Sequence, residues 1–304
     1  ADLFANEKDH QKKNYENEKF VWTDNYVSEG NHAALAPSTE EIVTTCLSKD
    51  GKPLRWVRKN DIYKYGKFTG TSTLETALYN MAVDEMINNF EKDGTLRTGL
   101  YWGGVWTRDV SYSSLLSLAY MCPDKVKNSL EVKIDRMGRI IQDTGTGGSW
   151  PCSSDRVVWA LSAWNIYLAT GDIEWLQKAY PVIIKSLECD DMVVFNPQTG
   201  LYRGESSFID WREQSYPTWA QPADIYLSEC LGTNAAYYGV LKVTADMAAA
   251  LGFKKDVKKY TQKAEALKKA INDKFWVEED GYYASYWYGR QNLIRTQHSE
   301  TLGE

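Results

Sequence analysis

Three short segments bring carboxylates, arginines and tryptophans together in ways that could do chemistry. The first is Tyr101-Trp102-Gly103-Gly104-Val105-Trp106-Thr107-Arg108-Asp109. Arg108 beside Asp109 offers a donor fork and an acceptor to neighbouring hydroxyls, and Trp106 offers a flat apolar face to the C–H surface of a sugar ring. The plainer alternative is a helix start capped by Asp109 with a local ion pair. The second segment runs from Asp143 through Gly147-Gly148-Ser149-Trp150-Pro151 to Ser154-Asp155-Arg156. Its glycines suggest a phosphate loop, but no Gly-Lys-Ser/Thr follows and no strand precedes. A loop presenting Trp150 ahead of a capped helix accounts for it better. The third is Arg203-Gly204-Glu205-Ser206-Ser207-Phe208-Ile209-Asp210-Trp211-Arg212-Glu213. In an extended segment Glu205 and Asp210 face opposite sides, whereas Asp210 and Glu213 share a face only if the segment turns helical. A solvated loop with a local salt bridge is the structural alternative.

These segments need elements to hold them. Residues 1–73 read as an irregular lead-in with two short strands, broken by turn residues such as Asp50-Gly51-Lys52-Pro53. From Leu74 the spacing becomes helical, with Leu74, Ala77, Leu78, Met81, Met86, Ile87 and Phe90 on one stripe and Asp93-Gly94 as a stop. Similar stripes recur at 110–121, 125–134, 155–170, 173–188, 228–251 and 255–275. Thr170-Gly171-Asp172 and Leu251-Gly252-Phe253 are joints short enough for antiparallel helical hairpins. The other connections, 94–109, 139–155, 190–227 and 276–298, are long and rich in Trp, Gly, Arg and acids. If all lie on one rim of a helical toroid, the binding site forms there.

Composition narrows the partners. The 304 residues carry 35 Lys+Arg against 41 Asp+Glu, a net charge of −6, with no basic run to face nucleic-acid phosphates. No stretch reaches the length of apolar sequence that spans a membrane. Five dispersed cysteines and three histidines give no zinc pattern, and Glu188-Cys189-Asp190-Asp191 reads as a helix end rather than a metal-binding box. No metal, other cofactor or nucleic acid is expected. The chain opens at Ala1 without a signal h-region, which fits a matured periplasmic or extracellular protein and an engineered start equally well.

In series, the three motifs resemble those of the six-hairpin, (α/α)6-barrel glycosidases, over residues 70–304. Trp106-Thr107-Arg108-Asp109 is similar to the segment with which glucoamylases grip the sugar to be cleaved. Gly148-Ser149-Trp150 with Asp155-Arg156 is similar to the segment whose Trp lines that pocket. Glu205 to Asp210 resembles the ESGxD segment of trehalases and processing α-glucosidases, one residue longer here and with Ser207 in place of its Gly. The stretch 204–217 also resembles members of this clan from bacterial glycan-degrading systems.

The turn residues Asn196-Pro197-Gln198-Thr199-Gly200 suggest a small β-hairpin in the rim loop 190–215, and the resemblance implies a mainly α-helical domain over 74–304, a toroid of helical hairpins. It implies an inverting, exo-acting glycoside hydrolase on an α-linked glycan. Asp210 is the first choice of general acid, and Glu213 and Glu205 are alternatives. Trp106, Arg108, Asp109, Trp150, Asp155, Trp211 and Arg212 are the expected sugar contacts. Inversion requires a second carboxylate about 6.5–9.5 Å from the acid, with room for water between them. Burial beside Phe208, Ile209 and Trp211 would raise the pKa of Asp210. The related enzymes take their base from far downstream. About seven helices lie between Leu74 and Phe275 where a closed toroid has twelve, so the chain is expected to be the N-terminal part of a longer protein. A polysaccharide lyase on a similar toroid, or a sugar-binding protein lacking one carboxylate, are the competing expectations.

Overall fold

The computed structural model describes residues 14–143, 150–205, 221–288 and 293–294. Contacts divide the chain into two compact units, Ala1–Phe90 and Glu91–Glu304.

The first unit is more regular than its sequence pattern suggests. In place of an irregular lead-in with two strands there is a six-stranded antiparallel sheet in sequential order. Its strands are β1 (Tyr15–Glu16), β2 (Phe20–Trp22), β3 (Tyr26–Glu29), β4 (His32–Ser38), β5 (Glu41–Leu47) and β6 (Pro53–Val57). The strands are short, and register shifts between Leu35 and Ser38 and between Val43 and Leu47 interrupt the alternation that would have revealed them. Helix α1 (Thr73–Asn88) packs against β4 and β5 of this sheet. It starts with a capping box, Ser72 and Glu75 satisfying each other's backbone amides. Leu74 and Ala77 of its apolar stripe form a buried cluster with Ala36 and Ile42. The helix that periodicity groups with the helical domain thus belongs to the compact unit of the sheet.

A single buried acid ties α1 to the sheet. Asp84 is 1% exposed. It accepts hydrogen bonds from Trp56 Nε1 (3.0 Å), the Asn60 amide and Asn60 Nδ2 (both 2.9 Å), and the Lys59 amide (3.3 Å). Burial alone would raise its pKa, but these donors outweigh it and hold the carboxyl below its ordinary value.

The second unit contains three antiparallel helical hairpins among the described residues. In the first, α2 (Thr107–Ser113) continues through a wide turn at Ser114–Leu118 to Met121, and Pro123 opens α3 (Pro123–Glu131). The second pairs α4 (Trp159–Thr170) with α5 (Ile173–Val193) across Gly171, whose φ of 68° closes the helix while Asp172 caps the next. In the third, after the short α6 (Pro222–Leu227), α7 (Leu231–Ala250) returns as α8 (Lys254–Phe275) across Gly252. The first members pack on one another, α2 against α4 and α4 against α7. Because every short joint follows the first member of a pair, the N-terminal ends of α2, α4 and α7 all meet the long connections.

Those connections carry the small strands. β7 (Phe195–Asn196) and β8 (Leu201–Tyr202) form the hairpin expected in 190–215, closed by Gly200 at φ 77°. β9 (Ser228–Cys230) pairs with β12 (Tyr286–Tyr288), which also pairs with β13 (Leu293–Ile294), while β10 (Trp276–Val277) and β11 (Tyr282–Tyr283) form a separate hairpin. No disulfide joins any of the five cysteines, and no described helix is long and apolar enough to cross a membrane.

Candidate active site at the hairpin rim

The first turn of α2 is assembled by residues from the next long connection. Trp106, half-buried, sits at the N-cap position with extended backbone and gives no side-chain cap. Asp143 takes over that role, accepting the Thr107 amide and pairing with Lys133 at 2.7 Å. The Thr107 hydroxyl donates to the Ile141 carbonyl at 3.0 Å. Asp109 therefore does not cap the helix.

Arg108 pairs with a carboxylate more distant in sequence than Asp109. It forks onto Asp155 of the short turn leading into α4, Nε to Oδ2 at 2.6 Å and Nη2 to Oδ1 at 3.1 Å. Asp155 is buried and also accepts Gln142 Nε2 at 2.7 Å, while Gln142 Oε1 accepts the Arg156 amide at 2.8 Å. A bidentate pair with a third donor fixes both side chains strongly.

Asp109 itself faces solvent from the same turn and makes no hydrogen bond to another side chain among the described residues. Its pKa is nonetheless raised. Desolvation by the surrounding protein is the main cause, opposed by the Arg108 charge and reinforced by the Asp143 and Asp155 carboxylates.

Trp150 is anchored rather than freely presented. Its Nε1 donates to Asp190 Oδ1 at 3.0 Å, and the Arg156 guanidinium lies 4.8 Å from its ring centroid. Asp190, fully buried on α5, also receives Arg156 Nη2 at 2.7 Å and the Tyr237 hydroxyl of α7 at 2.9 Å. Burial pushes the pKa of Asp190 up, against the pull of the Arg156 charge and of the Tyr237 and Trp150 donors.

Glu205 follows β8 and is 1% exposed. It is held at three atoms. The Ser153 hydroxyl donates to its carboxylate, its amide donates to the Cys152 carbonyl at 2.7 Å, and its carbonyl accepts the Thr233 hydroxyl at 2.5 Å. Gly204 before it sits at φ 126°, where an added Cβ would lie 2.6 Å from Ser154 Oγ. Only glycine suits that position. Asp210, Trp211, Arg212 and Glu213 lie outside the described residues.

The described candidates therefore meet on one segment, 150–156. Arg108 reaches Asp155, Trp150 and Arg156 reach Asp190, and Glu205 docks on Cys152 and Ser153. Gln142, Ser153 and Tyr237 belong to the same assembly and escape motif reading, while Asp143 opens the second segment and Asp190 lies in the acidic run read as a helix end. Asp190 also falls three and seven residues after Leu187 and Ile183, on the buried face of α5. Asp109 remains an open acceptor beside the Arg108, Asp143 and Asp155 charges.

Hairpins whose first helices all open on one rim, with acids and tryptophans in the long connections, define the six-hairpin class of glycosidase domains. Residues 142–302, more than half of the chain, match the family described as bacterial alpha-L-rhamnosidase 6 hairpin glycosidase domain, and the chain belongs to that family. Among solved structures it is similar to a GH78 family rhamnosidase of Bacillus sp. GL1, with a TM-score of 0.54 and 15% identity over 79% of this chain and 24% of that one. A rhamnosidase from Klebsiella oxytoca with rhamnose bound gives a TM-score of 0.46 and 16% identity over 62% of this chain and 36% of that one. A family 105 glycoside hydrolase of C. acetobutylicum ATCC 824 gives 0.43 and 11% over 69% and 60%. The chain thus spans about a quarter to a third of the length of the two rhamnosidases. No curated protein sequence matches it significantly.

Proposed function

We propose that the protein belongs to an inverting, exo-acting glycoside hydrolase that removes terminal α-linked L-rhamnose from a glycan. The observation that carries this reading is Asp109, an open carboxylate with a raised pKa, set beside the Arg108–Asp155 fork. In it, Asp109 accepts hydroxyl protons of the terminal sugar, the fork holds the α2 turn in place, and Trp106 and Trp150 give the ring apolar faces. Asp210 protonates the leaving oxygen, with Glu213 and Glu205 as alternatives, and Trp211 and Arg212 complete the sugar contacts. Of these, Glu205 is the least suited to the acid's task, because it is buried and bound to Ser153.

Among the described rim residues, Arg108 and Arg156 face buried carboxylates, Asp155 and Asp190. A lyase needs a cation or amide to neutralise a uronate, and these two arginines are already neutralised. L-rhamnose is neutral and fits the family to which the chain belongs.

Release of L-rhamnose from an aryl α-L-rhamnoside tests the reading. Proton NMR of the first-formed anomer should show inversion, and an oligosaccharide should yield only the monosaccharide. Asp210→Asn should lower the rate by roughly 10²–10⁴-fold with an unchanged circular dichroism spectrum. Wild-type turnover by D210N would remove Asp210 as the acid, and absorbance rising at the wavelength of an unsaturated uronide would favour a lyase.

A further inference from the structure

The N-terminal unit contains a cleft of about 460 Å³ between the β2–β3 turn, the β4–β5 turn and the segment leading into α1. That volume falls in the range of small-ligand sites. Hydroxyl side chains dominate its lining, among them Thr39, Thr69, Thr71 and Thr76. Its walls are braced by their own hydrogen bonds. Asp24 accepts the Thr73 amide (3.2 Å) and hydroxyl (2.6 Å), and Thr76 accepts the Gly70 amide (3.0 Å) while donating to the Ser72 carbonyl (3.2 Å).

Asn80 and Phe68 add an acceptor and an apolar face to these hydroxyls. Asn80, only 6% exposed, lines the cleft. Its Nδ2 donates to the Thr39 carbonyl at 2.9 Å, and its Oδ1 makes no hydrogen bond among the described residues. Phe68 is 46% exposed and rests against Tyr79, ring centroids 5.3 Å apart. The neighbouring Tyr63 ring is covered by the Lys67 ammonium at 5.1 Å and the Arg58 guanidinium at 5.5 Å, so Phe68 supplies the open apolar surface.

The charges select among ligands. An anion at the start of α1 would need the Thr71 and Ser72 amides, but Glu75 already accepts both, at 2.7 and 3.2 Å. Asp24 and Lys67 are the charged residues of the lining, one of each sign, so the wall carries no net charge. An acceptor on the lining, carboxylate in place of anion-binding amides, hydroxyls around and one aromatic face together match a neutral polyol ring.

We propose that this cleft is a second, non-catalytic carbohydrate site that binds a neutral sugar unit. The rhamnosidase reading enters only through the choice of probes. Saturation-transfer NMR on the full chain with L-rhamnose, D-galactose and D-glucose tests it, in the wild type and in an Asp109→Asn background that weakens the rim site. At least one sugar should keep its signal in that background, lose roughly tenfold in affinity in Phe68→Ala and lose binding in Thr69→Trp, which fills the cleft from an exposed position. Loss of every sugar signal in Asp109→Asn, signals indifferent to both cleft substitutions, or displacement by inorganic phosphate would each overturn the proposal. Binding, not turnover, is read, so a chain that releases no rhamnose could still pass this test.

Discussion

Asp84 and Asp109 are aspartates in the first and second units whose surroundings drive them in opposite directions. Asp84 is enclosed by donors from Trp56, Lys59 and Asn60 and sits below its ordinary pKa. Asp109 has no side-chain hydrogen bond among the described residues, stays open to solvent and is pushed above its ordinary pKa. The first carboxylate has its hydrogen-bonding capacity consumed by folding. The second retains that capacity, and the protein around it bears an electrostatic cost to keep it so. Asp155 and Asp190 lie at the rim, yet like Asp84 they have their acceptor capacity taken up by donors of the protein, Arg108 and Gln142 for the first and Arg156, Trp150 and Tyr237 for the second. Position at a rim is therefore a poor guide to role, and spare capacity is a better one.

The most damaging way to probe this contrast is to strip a satisfied carboxylate of its cation. Arg108→Ala would strip the buried Asp155 of its guanidinium fork while the neutral Gln142 amide stays, and should cost about 3–5 kcal/mol in urea unfolding. Arg108→Lys should recover only part, since an ammonium cannot fork onto both oxygens. Unaltered stability in R108A would place Arg108 with Asp109 as a ligand-facing group and break the division.

Gly204→Ala probes the same rim through the backbone. The φ of 126° is foreign to alanine and the new Cβ would press on Ser154 Oγ and the Cys152 carbonyl, so a loss of about 2 kcal/mol is expected. Because Glu205 docks on Cys152 and Ser153, the loss should be accompanied by faster amide exchange at Glu205.

A smaller effect, about 1–2 kcal/mol, is expected of Asp84→Asn, which replaces an acceptor-only group by one that turns a donor toward donors. Its pH dependence has a definite sign. A carboxyl depressed in the folded state contributes stability that is fully present above the unfolded pKa, near 3.9, and is lost as pH falls through the lower folded value. The gap in urea midpoint between wild type and D84N should therefore narrow toward strongly acid pH. A gap that stays constant would mean that shape, not charge, is what Asp84 contributes.

How much of this could be read from the chain follows the same contrast between local and distant partners. The hairpin joints at Thr170-Gly171-Asp172 and Leu251-Gly252 were legible because a cap and a left-handed glycine are local devices. The β7–β8 hairpin was legible from its turn for the same reason. The six-stranded sheet was not, since strands of two to seven residues with two register shifts carry little alternation. The motifs drew attention to Arg108, Asp109, Trp150, Asp155 and Glu205, but not to how they are wired. Asp143 capping α2 from 36 residues away, or Asp190 receiving Trp150 across 40, leaves no spacing rule in the sequence.

Asp109→Asn has the smallest effect on stability and the most to say about role. A carboxyl whose folded pKa is raised opposes folding where it is ionised, above that pKa, and the opposition disappears below the unfolded value. At neutral pH D109N should therefore melt at the same temperature as the wild type or higher, and the two should converge in acid. Function should move the other way. An ionised carboxylate accepts sugar hydroxyls better than an amide does, so KM for an aryl α-L-rhamnoside should rise roughly tenfold to a hundredfold. In the wild type the same affinity should fail as pH drops through the raised pKa, at a higher pH than an ordinary aspartate would allow. Lower stability together with unchanged KM in D109N would put Asp109 in the same group as Asp84, and the contrast between the two acids would be lost.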